Sequence, residues 1–218
     1  MKSVVIGASG GIGAALAAAL EEEDAEVLRL SRPEIDLTDE ATIAAAAARA
    51  GSPELVFVAT GVLHDGEHGP EKATRDLDPA WLARQYAVNA IGPALVAKHF
   101  LPIMPKRGRS VLAILSARVG SISDNRLGGW YGYRASKAAL NQFVRTLAVE
   151  DKRRNDRGIV VALHPGTVDT KLSAPFQQAG RDLFTPGRAA VQLLDVIDGL
   201  KPQDSGKFFA WDGSEIAP

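Results

Sequence analysis

The chain has 218 residues, of which 46% are hydrophobic and 23% charged, an ordinary globular composition that excludes a disordered or fibrous protein. Lys and Arg number 25 against 26 Asp and Glu, so no broad basic field invites nucleic acid, and the lack of cysteine removes disulfides, thiolate zinc sites and thiol catalysis together. No apolar run reaches membrane-spanning length and the run before the first glycines is too short for a signal peptide, which predicts a soluble, cytoplasmic protein folded as one domain over residues 1–218.

Short, nearly continuous apolar runs alternate with Ala- and Leu-rich stretches. Strands are predicted at 3–6, 26–30, 55–59, 110–115, 159–163 and 207–210, and helices at 12–23, 39–50, 79–100, 131–151 and near 187–200. Strands apolar on both faces belong in a parallel sheet covered by helices on both sides, so the expected class is α/β. Only four residues separate Leu30 from the small patch Ile35-Asp36-Leu37, too few for a helical crossover, so a third strand there is vestigial or part of a loop. Thr38 is placed to cap the second helix, Gly51 to end it, and Asp78-Pro79 to open the third.

Gly7-Ala8-Ser9-Gly10-Gly11-Ile12-Gly13 follows the first strand and opens the first helix. Glycines there permit a sharp turn and bring backbone N–H groups against a pyrophosphate at the positive helix end. The spacing is neither G-x-G-x-x-G nor a P-loop. The same residues satisfy G-x-S-x-G, the strand–turn–helix elbow of serine hydrolases, with Ser9 as nucleophile, Asp124 as acid and His164 as base; no HGGG-type oxyanion segment accompanies them. His64-Asp65-Gly66-Glu67-His68 lies in a loop without helical convergence of the two rings, and no metal is expected there.

Tyr133-Arg134-Ala135-Ser136-Lys137 opens a strongly helical stretch, and its spacing puts Tyr133 and Lys137 on one face. A free phenol titrates at about 10. A neighbouring ammonium favours the phenolate, so the pair is expected to bring Tyr133 toward working pH.

The glycine turn combined with Tyr-x-x-x-Lys resembles the short-chain dehydrogenase/reductase family. Gly120-Ser121-Ile122 and the run from Gly128 to Lys137 are most similar to its C-factor-like carbonyl reductase subgroup. That resemblance implies a single Rossmann-type, doubly wound parallel sheet, here shortened between the second and fourth strands, with NAD(P)H across its carboxyl edge. It implies Tyr133 as general acid/base, Lys137 as the holder of the nicotinamide ribose, and Asn89 as the helix asparagine that carries a proton-relay water. Pro165-Gly166-Thr167-Val168-Asp169-Thr170 matches the segment in which Val168 and Thr170 contact the nicotinamide and nearby phosphate. Gly7, Ser9, Gly11, Ile12 and Gly13 are expected around the phosphates, and Asp36, before Leu37, at the adenine. Val58-Ala59-Thr60-Gly61 stands where the family has N-N-A-G, so Ala59, Thr60 and Gly61 are expected to pass under the adenine ribose without the asparagines' bracing.

Two further features bear on cofactor and chemistry. Ser31-Arg32 replaces the acidic residue that would favour NAD, and a hydroxyl beside a guanidinium suits a 2′-phosphate, so NADP(H) is the expected cofactor. The family serine that hydrogen-bonds the substrate carbonyl would fall at Ala117; Ser116 is taken as its replacement, with Ser121 and Ser123 as other candidates. Leu63, Trp130, Leu172 and Phe176 are expected to line an apolar pocket and residues 171–185 to form a substrate lid. The resemblance also implies a homodimer or homotetramer built on the helices at 79–100 and 131–151. Three functions follow: an NADP(H)-dependent reductase of a small carbonyl or alcohol substrate, a hydrolase centred on Ser9, or a catalytically weak NADP-sensing or signalling protein suggested by Ala117.

Overall fold

A computed structural model of the chain describes residues 1–176 and 183–218. Strands β1 (Lys2–Ile6), β2 (Glu26–Leu30), β3 (Leu55–Val58), β4 (Ser110–Leu115), β5 (Gly158–His164) and β6 (Phe208–Ala210) form a parallel sheet in the order β2-β1-β3-β4-β5-β6. Successive side chains point to opposite faces, and both faces are buried, which is why the strands read as unbroken apolar runs. Val4, Ile6, Val56, Val58, Leu112 and Ile114 pack on α2 (Glu40–Ala50), α4 (Gly92–Phe100) and α5 (Tyr131–Asp151). Val5, Phe57, Val111 and Ala113 pack on α1 (Gly11–Glu22) and α6 (Pro186–Gly199).

From β1 the chain moves outward through α1 to β2, while β3 lies on the other side of β1. That reversal leaves a crevice at the carboxyl ends of β1 and β3, the place where such sheets bind ligands. The patch at 35–37 forms no strand: Ile35 and Leu37 are buried in a loop, and β2 is the sheet edge.

Two details differ from expectation. The N-cap of α2 is Asp39, whose carboxylate accepts from the Ala41 N–H at 3.0 Å; the Thr38 hydroxyl instead donates to Asp36 at 2.7 Å. A side chain one residue earlier cannot reach the free N–H groups of the first turn. The stretch at 79–100 is not one regular helix but α3 (Pro79–Tyr86), a π-helical turn (Ala87–Ile91) and α4. Asp78 caps α3 through the Trp81 N–H at 2.7 Å. Pro93 explains the wide turn, because it has no N–H for the Asn89 carbonyl and its ring would collide with that carbonyl in a regular helix. Among the described residues no helix is long and apolar enough to cross a membrane.

Gly92 sits where α4 meets the loop at 31–39. A Cβ there would fall 2.5 Å from Leu37 Cβ and 2.7 Å from the Leu37 carbonyl oxygen. The helix-propensity gain of Gly92→Ala, at most about 1 kcal/mol, is outweighed by an overpacking cost of about 1–3 kcal/mol. The expected outcome is a lower thermal midpoint, measured by differential scanning calorimetry.

Candidate active site

The crevice is a groove of about 360 Å³ between the glycine turn, the loop after β2 and the segment after β3. Gly7 has φ +89°, a conformation glycine adopts without strain, and its carbonyl accepts from the Gly10 N–H at 3.0 Å. A Cβ on Gly13 would overlap the Gly7 carbonyl, so α1 starts hard against the turn. Thr170 places its methyl 3.0 Å from where a Gly11 Cβ would sit, which brings the 165–170 segment against the turn from the other side. Gly166 has φ +79° and packs under Phe184 and Trp211. Ile12 joins the small cluster of Val168, Phe184 and Ala189. The Ser31 hydroxyl accepts from the Ser9 N–H at 2.8 Å, so Ser31 braces the glycine turn.

Arg32, Asp36, Leu37, Ala59, Thr60 and Gly61 line the groove. Asp36 is held below its ordinary range by the Thr38 hydroxyl and N–H, then by Arg32 and Arg84. Sequence reasoning missed Arg84, Val88 and His64, which also line the groove. Arg84 carried a signal, lying about one turn before Asn89 on the same helical stretch, whereas His64 carried none.

Tyr133 and Lys137 project together from the first turns of α5, with exposures of 8% and 2%. Lys137 Nζ donates to the Leu115 carbonyl at 2.9 Å and lies 5.9 Å from the centre of the Tyr133 ring. A Cβ on Gly61 would be 3.5 Å from Asn89 Oδ1 and 3.8 Å from Lys137 Nζ, so the groove runs directly up to this pair. Asn89 stands in the π-helical turn. Its Oδ1 accepts from the Val62 N–H at 2.8 Å, and its Nδ2 donates to the Val62 carbonyl at 2.9 Å and to Ser136 Oγ at 3.1 Å. Ser136 Oγ donates onward to the Tyr133 carbonyl at 2.9 Å. The Asn89 side chain therefore clamps the segment after β3 to the start of α5.

The electrostatics correct one expectation. Burial pushes the Tyr133 phenol up to about 12 and pulls Lys137 down to about 8. Dehydration outweighs the attraction of an ammonium beyond the ring, so in the protein alone Tyr133 holds its proton through the neutral range.

Ser116 does not offer a hydroxyl to a substrate. It is 4% exposed, and its Oγ donates to Asn141 Oδ1 at 2.7 Å, one turn beyond Lys137 on α5. Extended backbone sends neighbouring side chains to opposite faces, and Ala117, extended at φ −146° and ψ 143°, takes the other one. Ser121 and Ser123 are drawn to the Pro218 carbonyl, at 3.4 and 2.6 Å. The wall beside Tyr133 is aromatic: Trp130 lies 6.2 Å from Tyr133 and 5.4 Å from Phe176, and Phe176 meets His64 at 5.6 Å, centre to centre. Leu172 lines the groove and Leu63 is buried. Of the segment at 171–185, residues 177–182 lie outside the described residues.

The hydrolase arrangement does not assemble. Ser9 follows β1 and His164 ends β5, three strands away, or roughly 14 Å at the usual spacing. His164 is pushed down to about 4 by burial, and Asp124 pairs with Arg118 at 3.6 Å. His64 Nε2 contacts the Lys171 carbonyl at 3.3 Å while the His68 ring stacks on Trp81 at 5.2 Å, so the two imidazoles are engaged separately. A larger groove of about 1100 Å³, between the outer side of α5 and the carboxyl-terminal segment, includes neither Tyr133 nor the glycine turn.

A family model described as enoyl-(acyl carrier protein) reductase matches residues 34–193. The chain is 39% identical to the C-signal protein of Myxococcus xanthus over 145 residues, 66% of this chain and 82% of that one. It is 31% identical to 1-hydroxy-2-glutathionyl-2-methyl-3-butene dehydrogenase of Rhodococcus sp. (strain AD45), covering 97% of this chain and 96% of that one. In three dimensions it is similar to the NADPH-bound carbonyl reductase from chicken fatty liver, with a TM-score of 0.84 and 24% identity over 100% of this chain and 94% of the other.

Ser116→Ala removes the donor to the half-buried Asn141 carboxamide, whose Nδ2 already lacks a partner among the described residues. A stability loss of about 1–3 kcal/mol by chemical denaturation is expected, with any turnover retained.

Proposed function

The chain belongs to the short-chain dehydrogenase/reductase family, and on that premise we propose that it is an NADP(H)-dependent carbonyl reductase with Tyr133 as its proton donor. The observation that carries this reading is the approach of Asn89 and Lys137 to Gly61, which lines the groove, with the Tyr133 ring centre 5.9 Å from Lys137 Nζ. The residues present fit a dinucleotide. Gly7, Ser9 and Gly10 line the groove at the N-terminus of α1, and Thr60 Oγ1 is buried at the groove without a partner among the described residues. Arg32 and Arg84 line the groove and would hold a 2′-phosphate, and the chicken relative is itself an NADPH-bound carbonyl reductase.

When bound, the nicotinamide supplies the hydride. The chain's own contribution is alignment and the proton. Tyr133, protonated at neutral pH, donates from its phenol oxygen to the carbonyl oxygen of the substrate. Lys137, held by the Leu115 carbonyl, keeps a positive charge near the phenolate that results. Asn89 and Ser136 hold the start of α5 so that the phenol meets the substrate at the groove's end. Trp130 and Phe176 give the substrate an apolar, ring-lined face. Exposed Tyr86, Ile91, Tyr131 and Phe143 along the stretch from α3 to α5 support assembly as a homo-oligomer.

Tyr133→Phe is expected to lower carbonyl-dependent NADPH oxidation by about 10²–10⁴-fold while NADPH still binds, read by absorbance at 340 nm and fluorescence titration. Retained turnover in that variant would sink the reading. The pH dependence has a definite sign: reduction holds below about 8, where Lys137 is charged, and falls above it as the ammonium is lost. Arg32→Ala should weaken NADPH about 10–100-fold and leave NADH unchanged, the loss of one charge-assisted phosphate contact. Equal weakening of both cofactors would remove the basis for NADP(H) preference.

A further inference from the structure

Helix α5 begins without the usual aids. Trp130 precedes it in the left-handed conformation (φ 53°, ψ 42°), no side chain of its own caps it, and its first turn holds no acidic residue. Such a backbone is strained for a bulky aromatic residue and persists only where its surroundings enforce it.

Glu71, from the loop between β3 and α3, does the enforcing. Its carbonyl accepts from the Trp130 N–H. Its carboxylate accepts from the Gly132 N–H at 3.1 Å through Oε2 and from Gln85 Nε2 at 2.8 Å through Oε1. Glu71 is 3% exposed and Gln85 0%. A Cβ at position 132 would overlap Gln85 Nε2 and fall 2.9 Å from Glu71 Oε1, so only glycine admits this contact. A buried carboxylate is costly unless donors and positive potential surround it, and here two N–H groups and the positive end of α5 supply both.

We propose that Glu71 is the positioning residue of the active site, fixing from one side chain both the Trp130 ring that walls the substrate pocket and the helical turn that aims Tyr133. The proposal rests on the reductase reading above for its catalytic consequence. Tyr133 directly follows Gly132, and the Trp130 ring lies against both Tyr133 and Phe176. Gln85 belongs to α3, one turn before Asn89, so Glu71 also ties α3 to α5. The Glu71 and Asn89 clamps thus hold the first turn of α5 from two directions.

Glu71→Gln keeps size and shape but sets its new NH2 donor against the Gln85 Nε2 donor. Turning the Gln85 amide to present its Oε1, which has no partner among the described residues, relieves that clash only by leaving the buried Nε2 unmet instead. In the double variant E71Q/Q85E, donor and acceptor trade places across the pair while the amide oxygen remains for Gly132. Wild type, E71Q and the double variant, labelled with 5-fluorotryptophan, are compared by carbonyl-reduction kinetics, NADPH titration, thermal midpoint and the ¹⁹F resonance of Trp130, assigned with Trp130→Phe. E71Q is expected to lower kcat by about tenfold or more, since displacing a reacting group by about 1 Å costs on the order of 100-fold. NADPH affinity stays unchanged and the Trp130 resonance moves; the double variant recovers most of the rate and the resonance. An E71Q protein with unaltered kcat and resonance overturns the proposal, as does a folded double variant that recovers neither. Should wild type bind NADPH yet turn over no carbonyl, the reductase reading fails, while the resonance shift and its recovery still decide the role of Glu71.

Discussion

The hydrogen bond from the Lys137 ammonium to the Leu115 carbonyl, at 2.9 Å, is the joint on which the site depends. It exists because two neighbouring strands have different lengths. β3 ends at Val58, opposite Ile114, so the carbonyl of Leu115 has no strand beside it. The same peptide unit sends its N–H, that of Ser116, to the Leu163 carbonyl on the other side. Gly120 lets the turn after β4 press onto α5, since a Cβ there would come 2.7 Å from Lys137 Cβ. Lys137 is thereby locked against a strand end, at the cost of water around its charge.

That dehydration sets the chemistry. Two groups of opposite tendency share one dry space: the phenol is pushed to about 12 and the ammonium drawn to about 8. Within such a space the phenol keeps its proton through the neutral range while the ammonium gives its own up more easily than in water. The aromatic rings of Trp130 and Phe176 complete the enclosure, and the nearby serines are occupied: Ser116 with Asn141, Ser123 with Pro218 and Ser136 with the start of α5.

The sheet, both helix layers and the crevice were legible in the sequence because burial on both faces writes itself as uninterrupted apolar runs, and turns as glycine clusters. The Tyr133–Lys137 pair was legible because four residues make about one helical turn. What periodicity could not carry were contacts made across the fold. Nothing local distinguishes Glu71 from a loop carboxylate, or reveals that Ser116 faces Asn141 across 25 residues of sequence. The sign of the Tyr133 shift was likewise hidden: spacing places a charge near a phenol, but only packing decides how much water both lose. Thr38 failed as a cap for a smaller reason, a single residue of offset.

The wide turn at Asn89 has a geometric consequence. One additional residue in a helical turn rotates everything after it by about 100°. Before the turn, Gln85 reaches into the polar clamp at α5; after it, Val96, Ala97 and Phe100 meet the sheet. A regular helix of the same sequence would present one set correctly and swing the other toward solvent. The extra residue works as a phase shifter, letting a single rod serve a polar socket at one end and an oily floor at the other.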